Sequence, residues 1–356
     1  DDFHASLAAG MSSESASSTA DTLSKLFAAY VNDYVQEKEV MMIKTGTPVE
    51  QAIIQLVENH LQSAPVYDDA AGKYLGWIDS RDLVALVVRA YHAESEEAGF
   101  KDLKSMLLRS RAIDKSPVEA VIDLSKNNPF VPIYTGQLMI DVLLVLAEGV
   151  HRVPVIDPES GKICKIISQS DILRFLGAHG DALGPQVMDK TLEELHMARR
   201  DTLIAVPASA PPLRAFELMS EHKLSGLPVV EDGTGNLLTN VSASDVTALI
   251  RAKQFDFLHR KGRGGGDAFT IMDFVSQIRM SRTTDFVAAA SCSPTWTLRK
   301  AVAKLVATKV HRLYVVEGTS RRLVGVVSLR DILQAVARVS AIGPSGAAVP
   351  TGTGGK

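Results

Sequence analysis

Val153-Pro154-Val155 closes a short apolar segment, and an aspartate, Asp171, follows Pro154 by seventeen residues. The same spacing recurs three more times in this chain of 356 residues: Ala64-Pro65-Val66 with Asp82, Leu227-Pro228-Val229 with Asp245, and Leu313-Tyr314-Val315 with Asp331. A supersecondary unit that recurs at fixed spacing predicts a repeat protein whose copies bury one another's apolar faces.

Each copy shows the same order of expected elements: helix, strand, polar turn, strand, helix. In the second copy a helix is expected over 140–150 and strands over 153–156 and 163–167, with a turn at Asp157-Pro158-Glu159-Ser160-Gly161. A second helix is expected to begin at the aspartate. Two hairpin-linked strands between helices cannot bury both faces alone, so the copies are expected to pair.

This pattern resembles the CBS (cystathionine β-synthase) repeat. The residues that carry the resemblance are the proline at the strand end and the Ser-x-x-Asp pairs Ser168/Asp171, Ser242/Asp245 and Ser328/Asp331. Within the family, the stretches 151–161 and 310–333 are most similar to the γ subunits of AMP-activated protein kinase. The resemblance implies an α/β fold in which four CBS repeats form two tandem CBS pairs (Bateman modules) in a pseudo-symmetric disc.

The expected organisation follows the repeats and the polar segments between them. We expect a disordered tail, an amphipathic helix with the first CBS repeat, the second, third and fourth repeats, and a mobile tail, at residues 1–20, 21–92, 125–180, 200–258, 285–340 and 341–356, respectively. The chain does not begin with Met, so it is also expected to be part of a longer protein.

Composition excludes some function classes. The formal net charge of −3 disfavours a nucleic-acid partner held by bulk charge. The apolar runs are too short to span a bilayer, so no membrane span is expected. No signal peptide is apparent, and the expected location is cytoplasmic, with the nucleus as the alternative.

The repeated aspartates allow two interpretations. A Ser-x-x-Asp sequence at a helix start is close to a capping box, in which the carboxylate accepts from the backbone at the favourable end of the helix dipole. A carboxylate also offers two acceptor oxygens to the paired hydroxyls of a ribose. The resemblance implies the second role, and it makes Asp82, Asp171, Asp245 and Asp331 candidate ribose-binding residues.

Basic residues precede the strand in alternate copies only. His151-Arg152 and His311-Arg312 occupy this position in the second and fourth copies, whereas Gln62-Ser63 and Ser225-Gly226 occupy it in the first and third. By resemblance the two His-Arg pairs are candidate phosphate ligands, because an Arg fork donates two charge-assisted hydrogen bonds. Further candidates for phosphate contact are Ser225, Ser328 and Arg330. Solvated loop charges are the alternative.

Four departures from the γ-subunit pattern bear on the sites. Gln62 stands where the γ subunit has Arg, and Ser170 where it has Lys, which predicts weaker phosphate binding near the first repeat. Asp79 replaces the usual Ser or Thr, and it is expected to disfavour an anion there. Conversely, the γ subunit lacks the aspartate that is present here as Asp171.

The expected function is that of a non-catalytic regulatory module. It would bind AMP, ADP or ATP, need no cofactor or metal, and modulate a partner, either a protein kinase catalytic or scaffold subunit or a larger assembly. No hydrolase, zinc-protease or kinase motif is present. The alternatives are a structural CBS scaffold with degenerate sites, and a module for S-adenosylmethionine, against which the His-Arg pairs argue.

Overall fold

The computed structural model describes Lys25, Phe27, Ala28, Val31 and residues 40–98, 116–247, 269–281 and 289–341. The predicted tail 1–20, residues 342–356 of the other tail and most of the N-terminal helix lie outside the described residues.

The predicted hairpin forms in all four repeats. The paired strands are β2 (Ser63–Asp68) with β3 (Lys73–Asp79), β5 (Arg152–Ile156) with β6 (Ile163–Ser168), β8 (Gly226–Val230) with β9 (Leu237–Ser242), and β11 (Arg312–Glu317) with β12 (Arg322–Ser328). The pairing register of each hairpin shifts at the same point, near the end of its first strand. The shifts lie at Val66/Tyr67, Val155/Ile156, Val229/Val230 and Val315/Val316. A shared bulge position shows that the repeats are equivalent in backbone as well as in sequence.

Each sheet has a third strand that the sequence did not predict. Two-residue strands pair in parallel with the first strand of each hairpin: β1 (Ile43–Lys44), β4 (Ile133–Tyr134), β7 (Val206–Pro207) and β10 (Ser291–Cys292). A helix joins each parallel pair, as the parallel connection requires.

The helices precede and follow the hairpins as expected. They are α1 (Val49–Glu58), α2 (Ser80–Ala98), α3 (Met139–Ala147), α4 (Gln169–His179), α5 (Pro185–Met188), α6 (Pro212–Glu221), α7 (Ile271–Ser281), α8 (Leu298–Thr308) and α9 (Leu329–Ala341). Two 3-10 helices cover Val118–Val121 and Gly180–Leu183. Every described helix is too short or too polar to cross a bilayer.

The helices pack the repeats together in two cores. Helices of the first repeat pack on those of the third, and in the same core Phe216 of α6 meets Phe274 of α7 edge to face at 5.8 Å. Helices of the second repeat pack on those of the fourth, and Phe27 and Val31 are buried in that core.

The hairpins supply the other contacts between repeats. The backbone N–H of Ile163 in the second repeat donates to the Tyr74 hydroxyl of the first at 3.1 Å. In the third and fourth repeats, the N–H of Leu237 donates to the carbonyl of Arg321 at 3.0 Å, and that of Leu323 to Gly235 at 3.2 Å. Each repeat therefore contacts two others, and the four form a closed ring in the order first, second, fourth, third.

Candidate functional site

A cavity of about 650 Å³ is lined by residues of all four repeats. All seven predicted phosphate-binding residues line it: His151, Arg152, Ser225, His311, Arg312, Ser328 and Arg330. His151 and His311, which are 160 positions apart in the sequence, converge here because the ring of repeats brings together the starts of the first strands of their hairpins. The cavity is within the size range of ordinary small-molecule sites.

One backbone hydrogen bond fixes the same position in each repeat. The carbonyl of the residue just before each hairpin accepts a hydrogen bond from the backbone N–H of the residue that follows the hairpin, at 3.0–3.2 Å. The pairs, acceptor first, are Gln62 and Ser80, His151 and Gln169, Ser225 and Ala243, and His311 and Leu329. The two histidines and their neighbouring arginines therefore sit at equivalent corners of the cavity, beside a helix start.

Arg312 reaches across from the fourth repeat to the third. Its Nη2 donates to the Ser225 hydroxyl at 2.5 Å. A Cβ on Gly226 would lie 2.1 Å from Nη1 of Arg312 and 2.9 Å from the carbonyl oxygen of Val241, so only glycine leaves room for this crossing. The guanidinium is held at the cavity wall by a neutral hydroxyl, and no carboxylate is paired with it among the residues that the structure describes.

All four aspartates cap their helices. Each accepts the backbone N–H of the residue three positions earlier, at 2.9 Å for Asp82, 2.8 Å for Asp171 and 2.7 Å for both Asp245 and Asp331. The capping interpretation is confirmed. The ribose role stays a prediction, and it depends on the remaining carboxylate oxygen.

The aspartates differ in their surroundings. Asp82 is 0% exposed, and its second oxygen accepts from both the N–H (3.0 Å) and the hydroxyl (2.7 Å) of Ser125. Asp171 and Asp331 line the cavity, whereas Asp82 and Asp245 do not. The second oxygen of Asp331 accepts at 2.5 Å from Arg200, which lies at the start of the third repeat.

The cavity carries excess positive charge. Burial and then the charges of Arg81 and Arg152 lower the pKa of His151 to about 3, and burial with Arg312 and Arg152 lowers the pKa of His311 to about 4. Both imidazoles are therefore neutral near pH 7 without a ligand. An anion among them would restore their ability to take up protons, because an opposite charge favours the charged form.

The same shifts predict a pH dependence of stability. The unfolded chain protonates His151 and His311 near their ordinary pKa of 6.5, but the folded chain does so only near 3 and 4, so acid favours unfolding. Asp82 opposes this, because burial and Asp79 raise its pKa to about 7 and the folded chain takes up that proton first. Between about pH 6 and pH 4 the unfolded chain binds two more protons at the histidines, and the folded chain binds one more at Asp82, so stability falls as the pH is lowered.

Urea unfolding of the unliganded protein at pH 6 and pH 4 measures this loss. The variant with His151→Gln and His311→Gln is expected to lose much less stability over the same interval. An unchanged pH slope in that variant would contradict the assignment to the two histidines.

The structure corrects the expectation for Asp79, and it shows a residue that the sequence analysis missed. Asp79 is not a bare charge: its carboxylate pairs with Arg81, whose Nε donates at 3.0 Å, and both side chains are buried. Burial alone would raise the pKa of Asp79, but Arg81 and Arg152 outweigh it and hold this pKa below its usual range. Arg81 also lines the cavity.

Comparison with known proteins agrees with the repeat architecture. The CBS domain family model matches residues 31–89, 121–178, 192–252 and 275–338. The chain belongs to the CBS-domain family.

Two curated proteins illustrate its relatives. The chain is 27% identical over 303 residues to 5'-AMP-activated protein kinase subunit gamma-3 of Sus scrofa, which covers 84% of this chain and 54% of that protein. It is 27% identical over 339 residues to Protein SDS23 of Kluyveromyces lactis, which covers 86% and 62%, respectively. The chain thus spans only about half to three-fifths of these relatives.

A solved structure shares the fold. Protein MJ1225 of Methanocaldococcus jannaschii superposes with a TM-score of 0.62 at 16% identity, over 86% of this chain and 99% of that one. The resemblance to γ subunits that the sequence analysis predicted is confirmed by the match to the γ-3 subunit.

Proposed function

We propose that this chain is a non-catalytic regulatory module that binds adenine nucleotides in the central cavity. The observation that carries the proposal is the convergence of His151, Arg152, His311 and Arg312 on one cavity whose wall also holds Asp331. Guanidinium groups suit phosphate, and a carboxylate suits a ribose diol. A phosphate-bearing ligand fits this wall better than S-adenosylmethionine, which has no phosphate.

Asp331 is the strongest candidate for the ribose contact. It is 19% exposed, and it lines the cavity together with Thr202 and Ile204 of the third repeat. In this proposal a ribose shares or displaces the contact of Asp331 with Arg200, and the phosphate lies towards Arg312 and Ser225. Asp82 serves the fold through Ser125, and it is not part of the proposed contact set.

The regulatory effect would arise from competition. AMP, ADP and ATP would bind the same cavity with different affinities for two states of the protein, and so shift the activity of a partner. A protein kinase is the proposed partner class, because relatives include kinase γ subunits. The chain has the same identity, 27%, to SDS23, and so the alternative partner is an assembly other than a protein kinase. A sensor of this kind would act in the cytoplasm, with the nucleus as the alternative.

Calorimetric titration with AMP tests the proposal, after the purified chain is stripped and any co-purified nucleotide is identified. Micromolar binding that ATP competes supports the nucleotide module. If the chain binds S-adenosylmethionine but no adenine nucleotide, the proposed ligand class is wrong and S-adenosylmethionine takes its place. Absence of any heat or co-purified nucleotide would favour the structural scaffold.

A matched pair of variants tests the ribose assignment. Asp331→Ala is expected to weaken adenosine and AMP by the same factor, about tenfold, because a charged hydrogen-bond acceptor is lost. Asp245→Ala removes an equivalent cap outside the cavity lining, and it should cost about 1 kcal/mol of stability without changing affinity for this site. Equal affinity losses in both variants would show that the effect comes from lost caps and not from ribose binding.

A further inference from the structure

Two arginines of the first and second repeats have unused donors in the cavity wall. Nη1 of Arg81 and Nε of Arg152 are buried and have no hydrogen-bond partner among the residues that the structure describes. Arg81 is only 5% exposed. Buried donors without partners are uncommon in proteins, and they indicate a missing ligand or ordered solvent.

The remaining donors of Arg81 are already placed. Nε and Nη2 contact the carboxylate of Asp79, and Nη2 also donates to the Asn128 side chain at 3.0 Å. The guanidinium is therefore fixed from one side, and Nη1 stays available. A guanidinium held in this way needs little further ordering to bind an anion.

The charges around this corner do not balance. Arg81 and Arg152 face the ionised carboxylate of Asp79, while Asp82, whose pKa is raised to about 7, is only partly ionised near neutral pH and His151 is neutral. Burial lowers the pKa of Arg152 from its usual range, but a guanidinium stays protonated near neutral pH. Positive charge is therefore in excess in this partly enclosed space.

This corner adjoins the one formed by Arg312 and Ser225. Both corners line the same cavity. Besides burial, Arg81, Arg152 and His311 lower the pKa of His151, and Arg312 and Arg152 lower that of His311, so these side chains lie near one another along one wall of the cavity.

We propose that Arg81 and Arg152 form a second phosphate subsite, which receives the outer phosphates of a nucleoside di- or triphosphate whose inner phosphate contacts Arg312. The nucleotide part of this inference rests on the proposed function. The subsite itself rests on the two buried donors and the uncompensated charge. It would make the chain discriminate between nucleotides by phosphate number, and Arg81 would be a specificity-determining residue.

The test removes the charges of Asp79 and Arg81 together, so the net charge of the corner is unchanged and only the guanidinium fork of Arg81 is lost. The variant with Asp79→Asn and Arg81→Gln is compared with the unmodified chain by titration with AMP, ADP, ATP and tripolyphosphate at one salt concentration. The matched control is Asp189→Asn with Arg299→Gln, an ion pair at 2.9 Å that lies on the surface and outside the cavity.

The neutralised variant is expected to weaken ATP and tripolyphosphate at least tenfold and AMP by less than about twofold, while the control changes neither. Parallel losses for AMP and ATP, or no loss, would overturn the subsite. If the neutralised variant does not fold, Arg81→Lys keeps the charge but loses the fork, and it should lower the ATP-to-AMP affinity ratio in the same direction.

Tripolyphosphate separates this inference from the proposed function. Binding of tripolyphosphate that depends on Arg81, without any nucleotide binding, would reject the nucleotide module and retain the anion subsite. Nucleotide binding that does not change when Arg81 is substituted would retain the nucleotide module and reject the anion subsite. Failure of every ligand to bind would reject both.

Discussion

Arg312→Ala is expected to weaken AMP binding about a hundredfold and adenosine by no more than about twofold. Arg312 is held at the cavity wall by Ser225, and within the described part of the chain no carboxylate is paired with it. Loss of two charge-assisted hydrogen bonds to phosphate, at about 1.5 kcal/mol each, gives this factor. Adenosine has no phosphate, so it should hardly sense the change.

Titration of both ligands measures the difference, with Arg322→Ala as the control. Arg322 belongs to the same repeat, is 63% exposed, pairs with Glu317 and does not line the cavity. Similar losses for AMP and adenosine in Arg312→Ala would remove Arg312 from the phosphate contact and indicate a general effect on the cavity.

The spacing of the repeats was sufficient to predict the hairpins. Each predicted strand lies within an observed one, because short runs of apolar and β-branched residues bounded by polar turns are local signals. The two-residue strands such as Ile43–Lys44 could not be predicted in this way. They are too short for a periodic pattern, and they form only because β2 offers a parallel edge beside them.

The arrangement of the repeats needed the structure. The sequence predicted that copies pair, but not that helices of the first repeat pack on the third and those of the second on the fourth. Every repeat has a similar apolar helix face, so periodicity alone allows several packings. The ring order decides which corners meet, and it brings the His-Arg starts of the second and fourth repeats to one cavity.

Arg81 illustrates why part of the site was missed. In the sequence it is one charged residue between Ser80 and Asp82, and Asp79 reads as a repulsive charge beside Asp82. Its meaning depends on burial and on Asn128, 47 positions away, which fixes the guanidinium. Asp82 is similar, since Ser125, 43 positions away, occupies the oxygen that a ribose would need.

The buried pair of Asp79 and Arg81 should dominate stability in this corner. Asp79→Ala is expected to lower the free energy of unfolding by about 3–5 kcal/mol, because it leaves a buried guanidinium without its counter-charge. The side chains are 2% and 5% exposed, and Oδ1 of Asp79 also accepts the backbone N–H of Arg81 at 2.7 Å. Asp189→Ala breaks the exposed pair with Arg299, and it should cost less than about 1 kcal/mol.

Urea unfolding without ligand measures both costs, and a second substitution separates charge from shape. Adding Arg81→Met to Asp79→Ala should recover part of the stability, since one of the two guanidinium groups that face Asp79 is then gone and only Arg152 keeps an uncompensated charge. Tripolyphosphate should stabilise Asp79→Ala more than the unmodified chain, because an anion would replace the lost carboxylate beside Arg81 and Arg152. If the double variant is no more stable than Asp79→Ala, the loss comes from the missing acceptor for the Arg81 backbone and not from the buried charge.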